Sequence, residues 1–229
     1  MLFLFSILFA FSIGHGDFRN IFNNDYSKAE KFLSSKNEYF DSFAELLDTD
    51  KRIVCSVVFP EAIRYSMIRN YLETGSLELV YVNTGVVDFS IGSFQMKPSF
   101  VTSLEFYADS LGLYSSVPSE FRPVSDQLAL YQQRKEVLNR LKSTEFQVFY
   151  SNLFYKVIET VFPDVVYWKI EDQVRFFSSA YNHDFTTSME EILAFSKKSF
   201  FPWGSLNSKE KFNYTDISWQ FYRENYLNE

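Results

Sequence analysis

The sequence predicts a mainly α-helical chain with one small hairpin or extended insertion, and three observations carry that expectation. Apolar residues recur at helical spacing in most segments, most clearly as the stripe Phe146, Phe149, Leu153, Val157 and Val161. Prolines punctuate the chain between such segments, at Pro98, Pro118, Pro123 and Pro163. The composition of 27 Phe, 15 Tyr and 3 Trp against 7 Gly and 6 Pro supplies enough large side chains to fill a core. It excludes a disordered, collagen-like or low-complexity chain.

The elements follow in order. Residues 1–13, MLFLFSILFAFSI, are uncharged, and a span of thirteen is short of the ~20 apolar residues a membrane helix needs. With Gly14 and Gly16 beyond, the stretch has the apolar core and small-residue end of a secretory signal. We therefore expect residues 1–16 to be a signal peptide, residues 17–229 to form a single domain, and the protein to be exported to the periplasm or cell envelope. The other reading of the same run is a buried first element of the domain. Residues 25–47 carry Phe32, Tyr39, Phe43 and Leu46 near helical spacing, and Asp48 or Thr49 is placed to cap a following helix with Ile53, Val57 and Val58 on its apolar face.

Pro60 stands where that helix would end or kink, because proline removes a donor and crowds the preceding turn. Residues 77–89 are rich in Val and Tyr and contain Asn83-Thr84-Gly85, a turn signal, so the hairpin or extended segment is expected there. Pro98 is suited to open a helix running to about Leu111, with Leu104 and Tyr107 inward. Residues 125–141 put Leu130, Val137, Leu138 and Leu141 on one side, and residues 144–161 carry the stripe noted above. After Pro163, Ile170, Val174, Phe177 and Tyr181 define a helix ending near Asn182. Phe200-Phe201-Pro202-Trp203-Gly204 is expected as a loop, and residues 217–226 as a last short helix.

The charge balance excludes several functions. With 22 Lys+Arg against 29 Asp+Glu, a net of −7 and no basic run, nucleic acid is not an expected partner. Cys55 is the one cysteine and His15 and His183 the two histidines, which leaves no disulfide framework and no Cys- or His-rich metal centre. Neither metal nor cofactor is expected.

Three places could carry chemistry. Glu61 follows the apolar run 53–59 and has apolar neighbours until Arg64. A carboxylate poorly solvated there would have a raised pKa, as a general acid requires; a glutamate after proline is also an ordinary helix-start residue. Ser90-Ile91-Gly92-Ser93-Phe94-Gln95-Met96-Lys97-Pro98 offers a glycine bend and the donors and acceptors of Gln95; it also reads as a plain loop into a proline-started helix. Ala180-Tyr181-Asn182 is a helix end, either functional or a core tyrosine with an asparagine cap.

In this order, the three resemble the lysozyme-like catalytic domain of soluble lytic transglycosylases and goose-type lysozymes, over roughly residues 48–182. That family has a helix ending in a catalytic Glu, then a Gly-Leu-Met-Gln-hydrophobic-x-Pro segment, then a helix finishing in Ala-Tyr-Asn. The resemblance implies a lysozyme-like helical domain with N- and C-terminal helical extensions. It implies cleavage of the β-1,4 bond between N-acetylmuramic acid and N-acetylglucosamine in peptidoglycan strands, without metal or cofactor. Glu61 would be the general acid and base, and Ser90, Gly92, Phe94, Gln95, Tyr181 and Asn182 would line the sugar groove, with Tyr181 orienting Glu61. Asp88 lies roughly where goose-type lysozymes carry an acidic residue; it is a candidate second carboxylate that would favour hydrolysis over 1,6-anhydro formation, or else a solvated loop aspartate. Ala62 after Glu61 and His183-Asp184 after Asn182 depart from the family pattern. They support the alternative of a catalytically silent domain that binds glycan or serves as a structural part of an envelope assembly.

Overall fold

The structure is a computed structural model that describes residues 17–68, 75–202 and 210–227. The expected leader, residues 1–16, and Trp203 and Gly204 of the expected loop lie outside the described residues.

The fold is mainly α: ten helices and one two-stranded antiparallel hairpin among the described residues. The helices are α1 (Phe18–Ser34), α2 (Asn37–Leu47), α3 (Lys51–Ile68), α4 (Gly75–Thr84), α5 (Pro98–Ser110), α6 (Leu130–Lys142), α7 (Thr144–Val161), α8 (Ile170–Asn182), α9 (Met189–Phe195) and α10 (Tyr214–Tyr226). The strands are β1 (Ser199–Phe201) and β2 (Phe212–Asn213). None of the described helices is long and apolar enough to cross a membrane.

Helix α3 is the axis of the molecule. It packs against α1, α2, α7, α8 and α10, and every residue from 53 to 63 is buried, so that stretch has no solvent face. Phe59 illustrates the packing: it stacks on Phe221 of α10 at 4.0 Å and meets Tyr26 of α1 edge-on at 4.7 Å. Asp50, rather than Asp48 or Thr49, caps α3, its carboxylate accepting from Arg52 N at 2.9 Å. Asp48 instead closes α2 in the left-handed conformation, at φ +52°.

The two largest departures from expectation are at Pro60 and in residues 77–89. Pro60 does not end α3; it lies inside the helix, which continues to Ile68. The missing N–H would have reached the Ser56 carbonyl, and one residue on, Tyr214 of α10 donates its hydroxyl to Val57 O at 2.9 Å. Burial on all sides outweighs the local break. Residues 77–89 do not form a hairpin; residues 75–84 are helix α4. Gly85, at φ +72°, donates its N–H to Tyr81 O at 2.7 Å, so Asn83-Thr84-Gly85 closes a helix with a left-handed glycine and does not turn a strand. Tyr81 and Val82 are buried and α4 packs on α6.

Elsewhere α5, α7 and α8 occupy the expected segments, and α10 begins at Tyr214, slightly before expectation. Residues 25–47 divide into α1 and α2, where Phe40, Phe43 and Leu47 face the core and Tyr39 is exposed. Helix α6 starts at Leu130, later than expected, because Gln133 Nε2 donates to Leu128 O and holds the preceding residues in a turn. Leu130 is exposed there. Phe200 and Phe201, expected in a loop, belong to β1.

Candidate active site

The loop between α4 and α5 is built by one internal pairing and two anchors. Ile91 and Met96 exchange backbone bonds, Ile91 N to Met96 O at 2.8 Å and Met96 N to Ile91 O at 3.1 Å, which folds residues 91–96 into a tight bend. Gly92 sits at φ +71° and Gln95 at +50°. The glycine is required twice over, because a Cβ at position 92 would lie 1.5 Å from Gln147 Nε2. Gln147, buried on α7, is the first anchor: its Oε1 accepts from Phe94 N at 2.8 Å, and its Nε2 donates to Leu141 O. Tyr181 on α8 is the second, donating its hydroxyl to Phe94 O at 3.0 Å.

This bend forms one wall of a cleft of about 860 Å³. Glu61 and Arg64 of α3 line it, with Ser90, Gln95, Met96 and Lys97 of the loop. The start of α5 contributes Ser99, Phe100 and Ser103, and the end of α8 contributes Ala180, Tyr181 and Asn182. Residues 183–186, Phe195, Lys198 and Phe200 complete the boundary. The three motifs singled out in the sequence thus meet around one opening.

Glu61 is 5% exposed, and its carboxylate has one side-chain partner among the described residues, Arg64 at 3.5 Å. Burial pushes the carboxyl up to about 7, with the Arg64 charge and hydrogen bond pulling the other way. A carboxyl in that state holds its proton near neutrality and can donate it. Tyr181 and Tyr214 are both held well above the usual phenol range, first by burial and then by the nearby Glu61 charge, so both remain neutral hydroxyls at working pH.

The expected site residues separate into lining groups and anchors. Glu61, Ser90, Gln95, Tyr181 and Asn182 line the cleft. Gln95 Nε2 donates to Gly92 O at 2.8 Å, which holds its side chain back against the bend. Gly92 supports the loop from behind. Phe94 turns its ring into the core against Phe32 and Phe40, at 6.0 Å from each, and serves the site through its backbone. The Tyr181 hydroxyl is directed to the Phe94 carbonyl, so its hydrogen bond orients the loop.

Asp88 is not among the residues lining this cleft. Its carboxylate accepts from Ser99 N at 3.1 Å and Ser99 Oγ at 2.7 Å at the start of α5, and it borders a smaller cavity of about 330 Å³ with Tyr81 and Arg134. Among the described residues, the second carboxylate lining the main cleft is that of Asp184, whose Oδ1 accepts from Thr186 N at 2.9 Å and Thr186 Oγ1 at 2.7 Å.

Sequence reasoning missed Arg64, Gln147, Asp184, Phe195 and Lys198. Arg64 was legible as the residue one helical turn after Glu61. Gln147 lay in a helix whose residues 147–155 are all buried, where a polar side chain must find partners. Trp168 and Trp219 pack on Phe176 and Tyr222, and neither lines the cleft. Among the described residues no group of His, Cys, Asp and Glu is arranged to hold a metal ion. Cys55 is buried, with its thiol pushed up to about 12 by that burial, and acts as a small core residue. Comparison with protein-family models, with curated proteins and with solved structures finds no match to this chain.

Proposed function

We propose that this chain is an exported enzyme of the periplasm or cell envelope, lysozyme-like in fold, that cleaves the β-1,4 bond between N-acetylmuramic acid and N-acetylglucosamine in peptidoglycan. One observation carries the reading: Glu61, the loop 90–97 and Ala180-Tyr181-Asn182 line a single cleft, with the Glu61 carboxyl buried in its wall. Glu61 donates its proton to the bridging oxygen as the bond to the anomeric carbon breaks, and an oxocarbenium-like centre develops on the muramic sugar. The carboxylate so formed lies 3.5 Å from the Arg64 guanidinium, which favours the charge.

The product follows from what attacks next. Asp88 is engaged at the start of α5, which supports attack by the sugar's own 6-hydroxyl over attack by a water held on Asp88. Glu61 then takes the proton of that hydroxyl, giving a 1,6-anhydro end, the outcome of a lytic transglycosylase.

The test is mass spectrometry of the soluble products released from purified peptidoglycan by the wild-type protein and by Glu61→Gln. Anhydromuropeptides from wild type, falling about 10²–10⁴-fold in the variant, are expected. Reducing-end products would mean hydrolysis and direct attention to Asp184. Release by Glu61→Gln at the wild-type rate would overturn the assignment of Glu61. Folded protein that binds strands and releases nothing would mean a glycan-binding or structural part of an envelope assembly.

A further inference from the structure

The chain carries a net charge of −7, yet among the described residues its cleft is lined by three cations, Arg64, Lys97 and Lys198, against two carboxylates, Glu61 and Asp184. The lining of this opening thus carries a small excess of positive groups, opposite in sign to the charge of the molecule as a whole. Two of the cations have acidic neighbours: Arg64 has Glu61 at 3.5 Å, and Lys97 Nζ lies 3.9 Å from Asp88. Lys198 has no ion-pair partner among the described residues.

Lys198 is also mounted on an aromatic wall. His183 stacks on Phe195 with centroids 4.2 Å apart and planes within 9°, Phe200 lies 5.8 Å from Phe195, and Lys198 Nζ sits 5.5 Å from the Phe195 centroid. Phe195 is buried behind the other two, while His183 and Phe200 are exposed at the cleft. The wall is held from behind. Ser179 Oγ on α8 donates to Ile192 O of α9 at 2.6 Å, and Asn213 Nδ2 donates to Ser196 O at 2.7 Å. Exposed ring faces beside an ammonium group suit a sugar ring that presents C–H groups on one side and carries an anion at its edge.

We infer that Lys198, together with the exposed rings of His183 and Phe200 that Phe195 backs, is a specificity-determining contact that selects acidic sugars: the two exposed rings take one face of a saccharide unit and the ammonium takes a carboxylate that the unit carries. The inference rests on the reading of the cleft as a peptidoglycan site and names the feature of that polymer that it recognises. The carboxylate can come from the lactyl ether of the muramic sugar or from a peptide stem attached to it; the chemistry is shared.

The experiment is calorimetric binding to the Glu61→Gln protein, in which turnover is suppressed, using three tetrasaccharide probes. One is neutral N-acetylglucosamine tetramer; one alternates N-acetylglucosamine with N-acetylmuramic acid bearing free lactyl carboxylates; one carries peptide stems in addition. The acidic probes are expected to bind about tenfold more tightly than the neutral one. Lys198→Gln should remove that preference while leaving the neutral probe unchanged, and Lys198→Arg should restore it. A preference for the lactyl probe assigns the contact to the muramic sugar, and one seen only with the stemmed probe assigns it to the peptide. Equal binding of neutral and acidic probes by the parent protein, an equal loss for all probes in Lys198→Gln, or no binding of any probe would overturn the inference. Wild-type protein that cleaves nothing while the acidic preference persists would count against catalysis and leave this contact standing.

Discussion

Two buried glutamates in this molecule face two arginines, and their carboxylates are met very differently. Glu105 on α5 accepts Tyr150 Oη at 2.6 Å and Arg140 at 3.1 Å on one oxygen, and Val124 N at 3.0 Å on the other. Arg140 in turn donates to Arg122 O at 2.7 Å and to Glu136 at 3.2 Å. Glu61 on α3, comparably buried, has Arg64 at 3.5 Å, and Arg64 Nε is buried without a hydrogen-bond partner among the described residues. Where the charge is fully met, it fastens the loop 122–124 to three helices and is structural. Where it is met poorly, burial moves the group toward neutrality, the state that the proposed proton donor needs. The number of donors reaching the carboxylate, more than the presence of an arginine, separates the two.

The largest expected effect tests the structural member. Glu105→Ala leaves Arg140 buried with, among the described residues, only the half-exposed Glu136 for a carboxylate partner, and should cost about 3–5 kcal/mol in urea denaturation. Activity per folded molecule should be retained. A loss under about 1 kcal/mol would show that the network is dispensable and would break the contrast.

The second prediction tests Glu61 through pH. Its carboxyl is raised from the usual 4.5 to about 7, so between those values the folded protein holds a proton that the unfolded chain has released. Stability therefore falls as pH rises through that window, and the loss is complete above it. Glu61→Gln is neutral throughout and escapes the loss. Relative to wild type it should gain about 3 kcal/mol between acidic and alkaline conditions, measured by denaturation across the range. A difference independent of pH would mean that the carboxylate is well solvated.

These contrasts also explain how far the sequence could be read. The helical class, the proline-opened α5, the stripe of α7 and the end of α8 at Asn182 were all legible, because periodicity and proline act locally. The hairpin misassignment has a physical cause: Asn83-Thr84-Gly85 signals a left-handed glycine, and that conformation serves a hairpin turn and a helix end equally well. Pro60 misled in the same way, since the burial that keeps α3 continuous comes from helices distant in sequence. Glu61 and Tyr181 could be placed near each other only through a resemblance between ordered motifs. Gln147, 53 residues from the Phe94 amide it accepts, left no local mark. Lys198 and Phe195 likewise reach the cleft by tertiary folding alone.

Gly92→Ala sharpens the comparison at the loop. The added methyl group meets Gln147 Nε2 at 1.5 Å and Leu141 O at 2.8 Å, and the φ of +71° disfavours any Cβ. Displacing Gln147 gives up its bond from Phe94 N, so a loss of about 2–4 kcal/mol is expected. Because the loop forms a cleft wall, turnover should fall along with stability, unlike in Glu105→Ala. Unchanged activity in a destabilised Gly92→Ala protein would detach this loop from the site.

The smallest expected effect decides what Tyr181 does. Its ring is fixed between Phe100 and Phe154, each at 5.3 Å, so Tyr181→Phe keeps the packing and removes only the hydroxyl bond to Phe94 O. The expected cost is about 1 kcal/mol of stability, with a loosened loop that raises KM. The pH dependence of kcat separates two roles for the hydroxyl. If Tyr181 positions the loop, as its bond at 3.0 Å indicates, the limb of the profile set by Glu61 stays near 7, because neither the burial of Glu61 nor its Arg64 partner has changed. If the hydroxyl instead turns to the carboxylate during the reaction, its removal takes away a donor that favours the charged form, and the limb moves to higher pH. A shifted limb would place Tyr181 with Glu61 as a direct partner in proton transfer; a fixed limb with raised KM would make it a positioning residue.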